Sequence, residues 1–259
     1  MRPQKGDEAM LRSARGLLEY KVTATDGDAG KATDMLFEDR DWYVVYLVVT
    51  GESWLSNRRA LVPRRVAGEP DWQARRFPVR LTRRQIDDCP PVDADPPVSI
   101  QQEQDVLAYY NLQPGWIRGP VSGFGLPEMV VPSDIADQEA IEEQRQERDS
   151  HLRSMQEIIG YQVEASDGDM GHVKDVLIDE GQFVVRYLVV DTEDYLDGRL
   201  FLLAVPWVKE LSWENEAVRT EFSAEQIRRS PQWDGRSPIS RPYEEALHTY
   251  YGRPRYWAS

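Results

Sequence analysis

Asp26-Gly27-Asp28-Ala29-Gly30 recurs, 141 residues further on, as Asp167-Gly168-Asp169-Met170-Gly171. Each copy sits between two short runs in which apolar and polar residues roughly alternate, residues 20–25 and 31–37 in the first half and 161–166 and 172–178 in the second. Such alternation is the period of a strand, and Asp and Gly supply the positive φ of a tight turn, so each copy reads as a β-hairpin.

The same offset joins many other pairs. Leu11-Arg12-Ser13 meets Leu152-Arg153-Ser154, Asp34 meets Asp175, and Tyr46-Leu47-Val48-Val49 meets Tyr187-Leu188-Val189-Val190. Trp72 meets Trp213, Gln85-Ile86 meets Gln226-Ile227, Tyr109-Tyr110 meets Tyr250-Tyr251, and Trp116 meets Trp257. The period is far longer than the roughly 20–50 residues of solenoid units, so the chain divides into two tandem repeats. We place them at residues 11–118 and 152–259, with a linker at 119–151.

Beyond the hairpin each repeat continues in the same way. Residues 42–49 and 183–190, dense in β-branched and aromatic side chains, are expected to be central strands buried on both faces. Residues 59–62 and 199–205 read as strands ending at Pro63 and Pro206, and residues 77–81 and 218–222 as last strands. Thr82 with Gln85, and Ser223 with Gln226, fit the capping box, so a short helix should start at each. Residues 103–110 and 244–251 are helix-compatible, and Trp116 and Trp257 are expected to anchor the tails that follow. Residues 133–150 predict a highly charged helix in the linker that is exposed or lies along a domain surface.

Composition narrows the class. With 259 residues, 41% hydrophobic and 29% charged, the chain can build two cores. Its net charge of −14 disfavours nucleic acid and anionic membrane surfaces as partners. Cys89 is the single cysteine, so an intrachain disulfide and a multi-thiolate metal site are excluded, as suits a reducing compartment. The first ten residues lack the apolar core of a secretion signal, and the longest apolar runs are too short for a transmembrane helix, so a cytoplasmic location is expected.

Asp26 with Asp28, and Asp167 with Asp169, offer hard oxygen ligands, but Gly30 and Gly171 stand at the fifth position of a calcium loop and Phe37 and Ile178 at the twelfth, so turn geometry is the preferred reading. Asp34 and Asp175, inside a strand in both copies, are expected to accept from a loop amide or pair with an arginine. Of His151, His172 and His248, none is shared between the repeats, since Lys31 and Leu107 stand opposite the last two; they are read as surface or hydrogen-bonded residues. Cys89, opposite Ser230, is read as an ordinary small residue. The pairs Arg58-Arg59, Arg64-Arg65, Arg75-Arg76 and Arg83-Arg84 lie in the first repeat and are expected to answer the abundant carboxylates, those of the second repeat or of residues 139–147 among them, with contact to nucleic acid or an anionic partner as the alternative. Trp72 and Trp213 are expected packing anchors, and the unduplicated Trp54 and Trp233 local anchors or interface residues.

The Asp-Gly-Asp-x-Gly-x-x-x-Asp hairpin, the Tyr-Leu-Val-Val strand, the strand ending in proline and the capped helix together resemble the PRC-barrel domain. That family is named from the cytoplasmic domain of the photosynthetic reaction centre H subunit and includes the C-terminal domain of a ribosome-maturation factor. The resemblance implies a mainly β protein of two tandem, small antiparallel barrels with short helices and a helical linker. It implies no catalytic motif, cofactor or metal. The expected function is a non-enzymatic interaction or adaptor module that binds a protein partner or self-associates. The alternatives are an accessory to photosynthetic or membrane electron transfer, a regulatory protein binding a small ligand or cation, and a ribosome-assembly factor.

Overall fold

The computed structural model describes residues 10–51, 59–90, 100–112, 152–192 and 199–258. The expected linker helix at 133–150, with Trp54, Arg58, Trp116 and His151, lies outside the described residues. The protein is mainly β, with two curled sheets and short helices. Two compact units result: one runs Glu19–Ser154, and the other gathers Met1–Leu18 with Met155–Ser259. The first strand, β1 (Leu11–Ser13), therefore belongs to the unit built mostly from the second repeat.

The Glu19–Ser154 unit holds β2 (Lys21–Ala24), β3 (Gly27–Glu38), β4 (Val44–Thr50), β5 (Arg59–Pro63), β6 (Arg76–Pro78) and β7 (Leu152–Ser154). Their order is β5-β4-β3-β2-β6, and β7 also pairs with β3. The other unit holds β8 (Gln162–Ala165), β9 (Gly168–Asp179), β10 (Val184–Asp191), β11 (Leu200–Ala204), β12 (Val208–Ser212) and β13 (Ala217–Thr220). Its order is β11-β10-β9-β8-β13-β12, and β1 also pairs with β9. Each sheet is antiparallel apart from one parallel pair, β2 with β6 and β8 with β13. Local alternation carries no information about which strand a last strand joins, so sequence reading missed those pairs. It also missed β12, whose place in the first repeat is held only by the bridges Ala67–Val79 and Asp71–Arg76.

The repeated glycines explain why the hairpins fold as they do. A Cβ on Gly30 would stand 2.3 Å from the Thr50 carbonyl oxygen, and one on Gly171 would stand 2.0 Å from that of Asp191. Only glycine lets the second hairpin strand pass so close to the end of its neighbour. The central strands start later than their apolar runs indicate: Trp42 and Phe183 adopt φ of 60° and 55° in the turn before β4 and β10. They are buried there, with the Trp42 ring stacked 5.2 Å from that of Phe37. Register shifts interrupt both long ladders, β3–β4 and β9–β10, and such bulges bend a strand and increase its twist.

Beneath this curl lie the cores, with Tyr46, Phe37 and Phe77 in one unit and Tyr187, Phe183 and Phe201 in the other fully buried. Burial of each such side chain stabilises by about 1.5–3 kcal/mol. Both expected capping boxes are present, on the helices Arg83–Asp87 and Ala224–Arg229. The closing helices run Ile100–Tyr109 and Arg241–Tyr251.

Candidate functional site

Strand β3 has two edges. One is lined by β4 from Lys31 to Phe37; the other carries β2 from Gly27 to Lys31 and then β7 from Leu36 to Glu38. Strand β9 is occupied in the same way, with β10 on one edge and β8 followed by β1 on the other. Each hairpin thus leaves a short stretch of sheet edge beyond its own partner, and a Leu-Arg-Ser strand fills it. The filling strand comes from the opposite repeat in both cases.

The chemistry of the two docking sites matches. Ser154 donates its hydroxyl to Asp34 at 2.5 Å, and Ser13 donates to Asp175 at the same distance. Arg153 Nε lies 3.0 Å from Asp39, and Arg12 Nε lies 2.9 Å from Glu180, the residue at the repeat position of Asp39. The carboxylates also fix their own backbone, since Met35 and Val176 donate their amides to Asp34 and Asp175. Ser13 additionally caps the helix Ala14–Leu17 by accepting from the Gly16 amide. An acceptor carboxylate with a hydroxyl donor, a charge pair and a backbone ladder makes a specific strand-addition site.

The other candidates hold the frame in place. Asp26 and Asp167 each accept, at 2.7 Å, from the first amide of a capped helix, that of Arg83 or Ala224. Asp28 pairs with Arg76 at 3.0 Å, and Asp169 is exposed. Arg76, Arg83 and Arg84 meet Asp28, Asp26 and Asp88 of their own unit. Burial lowers the Arg64 guanidinium to about 10, and its Nη1 donates to the Ala67 carbonyl. Trp72 and Trp213 pack edge-on against Tyr20 and Tyr161. Trp233 is a local anchor, donating its indole N–H to the Ser237 carbonyl. Cys89 is buried, 3.7 Å from the Leu61 carbonyl oxygen.

Residues 152–227 match the PRC-barrel domain family. No curated protein matches the chain. The matched stretch opens at Leu152, on the strand that completes the other sheet, and ends within the capped helix. No described helix is long and apolar enough to cross a membrane, and the described residues contain no group of three or more His, Cys, Asp or Glu placed to hold a metal.

The same unit as this PRC-barrel domain holds a polar cluster that sequence reading missed. Helix Arg241–Tyr251 carries Arg241, Glu244 and His248 at helical spacing, and packs them on Tyr187 of β10. Glu244, only 1% exposed, accepts from Tyr187 at 3.0 Å and Tyr256 at 2.8 Å, and from Arg241 at 2.9 Å. His248 Nδ1 lies 2.7 Å from the Pro254 carbonyl oxygen, which only accepts, so Nδ1 carries a hydrogen. Its Nε2 and Glu244 Oε1 both stand 3.0 Å from the Tyr187 hydroxyl, which has one hydrogen to give.

Satisfying both contacts therefore takes one proton more than a neutral imidazole and a carboxylate possess. Burial raises Glu244 above the ordinary carboxyl range, outweighing the Tyr256, Tyr187 and Arg241 donors, and burial lowers His248. Both shifts favour the carboxyl over the imidazole as the seat of any additional proton. In the first repeat Leu107 stands where His248 does, and that cluster is not repeated.

Proposed function

We propose that the protein is a non-enzymatic interaction module of two PRC barrels, residues 11–118 contributing the second, and that it self-associates by exchanging its Leu-Arg-Ser strands. The single observation that carries this reading is the crosswise placement of β1 and β7 on equivalent acceptors. Support for the second barrel comes from the shared strand order, the duplicated glycine turns and the paired capping boxes.

Exchange within one chain and exchange between two chains use identical contacts. A dimer formed this way loses no strand pairing, and concentration decides between the two forms, as in domain swapping. Strand addition gives affinity through the main chain, while the Ser–Asp and Arg–acid contacts give selectivity for this segment. The buried Glu244, Tyr187 and His248 are committed to one another.

The test mixes two full-length preparations carrying different affinity tags, warms them briefly and captures one tag. Recovery of the second tag, together with a concentration-dependent mass in sedimentation, is the expected result. The Arg12→Glu/Ser13→Asp chain, with like charges facing Glu180 and Asp175, should fail to exchange that strand. A purely monomeric mass across the micromolar range and no co-capture after warming would overturn the reading.

A further inference from the structure

Above the His248 cluster, in the unit completed by β1, a partly open cleft of about 340 Å³ lies between β10, the turn after β11 and the tail that follows helix Arg241–Tyr251. Its floor is apolar, formed by Val205, Pro206 and Trp207, and three guanidinium-bearing residues line it, Arg186, Arg253 and Arg255. Among the described residues no carboxylate lines it. In an acidic protein of net charge −14, a concave site lined by three arginines stands out, although each also has a carboxylate partner outside the lining.

The arginines are held in place from behind. Arg186 donates to Asp179 and Gln182, and its guanidinium lies 4.2 Å above the Tyr256 ring. Arg253 pairs with Glu221, and Arg255 with Glu245 at 3.4 Å. These contacts tie each guanidinium to a neighbouring acid. Arg186 keeps one group in reserve: its Nε is buried without a hydrogen-bond partner.

We infer that this cleft binds a small organic acid, with an apolar or aromatic body on Pro206 and Trp207 and an anionic group between the arginines. The volume suits a ligand of this kind, since small-molecule sites occupy about 300–1,000 Å³ and combine apolar walls with a few placed polar groups. Arginine presents a planar fork that matches a carboxylate. The first repeat lacks the site: Arg64 replaces Trp207, and Val45 replaces Arg186.

Benzoate, with benzamide as its uncharged analogue and inorganic phosphate as an anion without an apolar body, separates the contributions. Each is titrated into the full chain by calorimetry. Benzoate is expected to bind, benzamide and phosphate at least about tenfold more weakly, one decade being about 1.4 kcal/mol. Arg255→Gln, at an exposed position that leaves folding intact, should weaken benzoate by a similar factor. Equal binding of benzoate and benzamide, phosphate binding as tightly as benzoate, or no heat with benzoate would each overturn the assignment.

Discussion

Arg153 Nε and Asp39 Oδ2 meet at 3.0 Å across the β7–β3 edge, with the side chains only 12% and 15% exposed, whereas the equivalent Arg12–Glu180 pair leaves 33% and 25% exposed. Removing one member of a shielded pair strands the other, at about 3–5 kcal/mol when burial is complete, while exposed pairs contribute about 0–1 kcal/mol. Arg153→Ala should therefore lower unfolding free energy by roughly 2 kcal/mol, and Arg12→Ala by less than about 1 kcal/mol. Denaturant titration with double-mutant cycles to Asp39 and Glu180 checks both values, and equal losses would contradict the ranking.

Glu244→Gln and Glu244→Ala should separate cleanly. Glutamine keeps a buried amide oxygen that can accept in place of the carboxyl, whereas alanine leaves the Arg241, Tyr187 and Tyr256 donors without their acceptor and costs about 3–5 kcal/mol, as denaturant titration of the two variants would show.

The pH dependence follows from the two shifts. Glu244 is raised in the folded state, so its stabilising contribution is full below the ordinary carboxyl value and is lost as pH rises through the raised one. His248 is lowered, so its contribution is full above the ordinary imidazole value and is lost as pH falls through the lowered one. Glu244→Gln should abolish the loss on the alkaline side and keep that on the acid side, as read by denaturation between about pH 4 and pH 8.

Gly168 and Gly171 make an internal comparison. Both have positive φ, but a Cβ on Gly168 meets nothing within 4 Å, whereas one on Gly171 collides with the Asp191 carbonyl. Gly168→Ala should cost about 1–2 kcal/mol from backbone strain alone. Gly171→Ala must also push β9 from β10 and should cost more than about 3 kcal/mol. Thermal melts that place the two within error would reject the steric account.

Ser223→Ala removes the hydroxyl that accepts from the Gln226 amide, and Asp167→Ala removes the acceptor of the Ala224 amide at the same helix start. Each should destabilise by about 1 kcal/mol. Because both relieve donors of one helix end, the double variant should lose less than the sum, as a cycle of melts would reveal.

What was legible in the sequence was local. The Asp-Gly turns, the strands around them and the capping boxes follow from spacing within a few residues, and each repeat checked the other. The crossing of β1 and β7 was not legible, because each repeat carries both a Leu-Arg-Ser strand and an acceptor such as Asp34 or Asp175. Identical chemistry leaves pairing within a repeat and pairing across repeats equally acceptable to pattern reading. The Glu244 cluster escaped for another reason. Tyr187 and Glu244 have counterparts in Tyr46 and Glu103, and repeated residues were assigned to the frame. The spacing of Arg241, Glu244 and His248 on one helix face was the available signal.

The crossed strands also set an order of events during synthesis. Arg12 waits for Glu180, 168 residues later, and Asp39 waits for Arg153, 114 residues later. Closing loops of that length is slow, and the Glu19–Ser154 sheet stays one strand short until the chain has been made past its own repeat. The first barrel is thus finished by the start of the second, so a ribosome that stalls between them leaves an open edge exposed to other nascent chains.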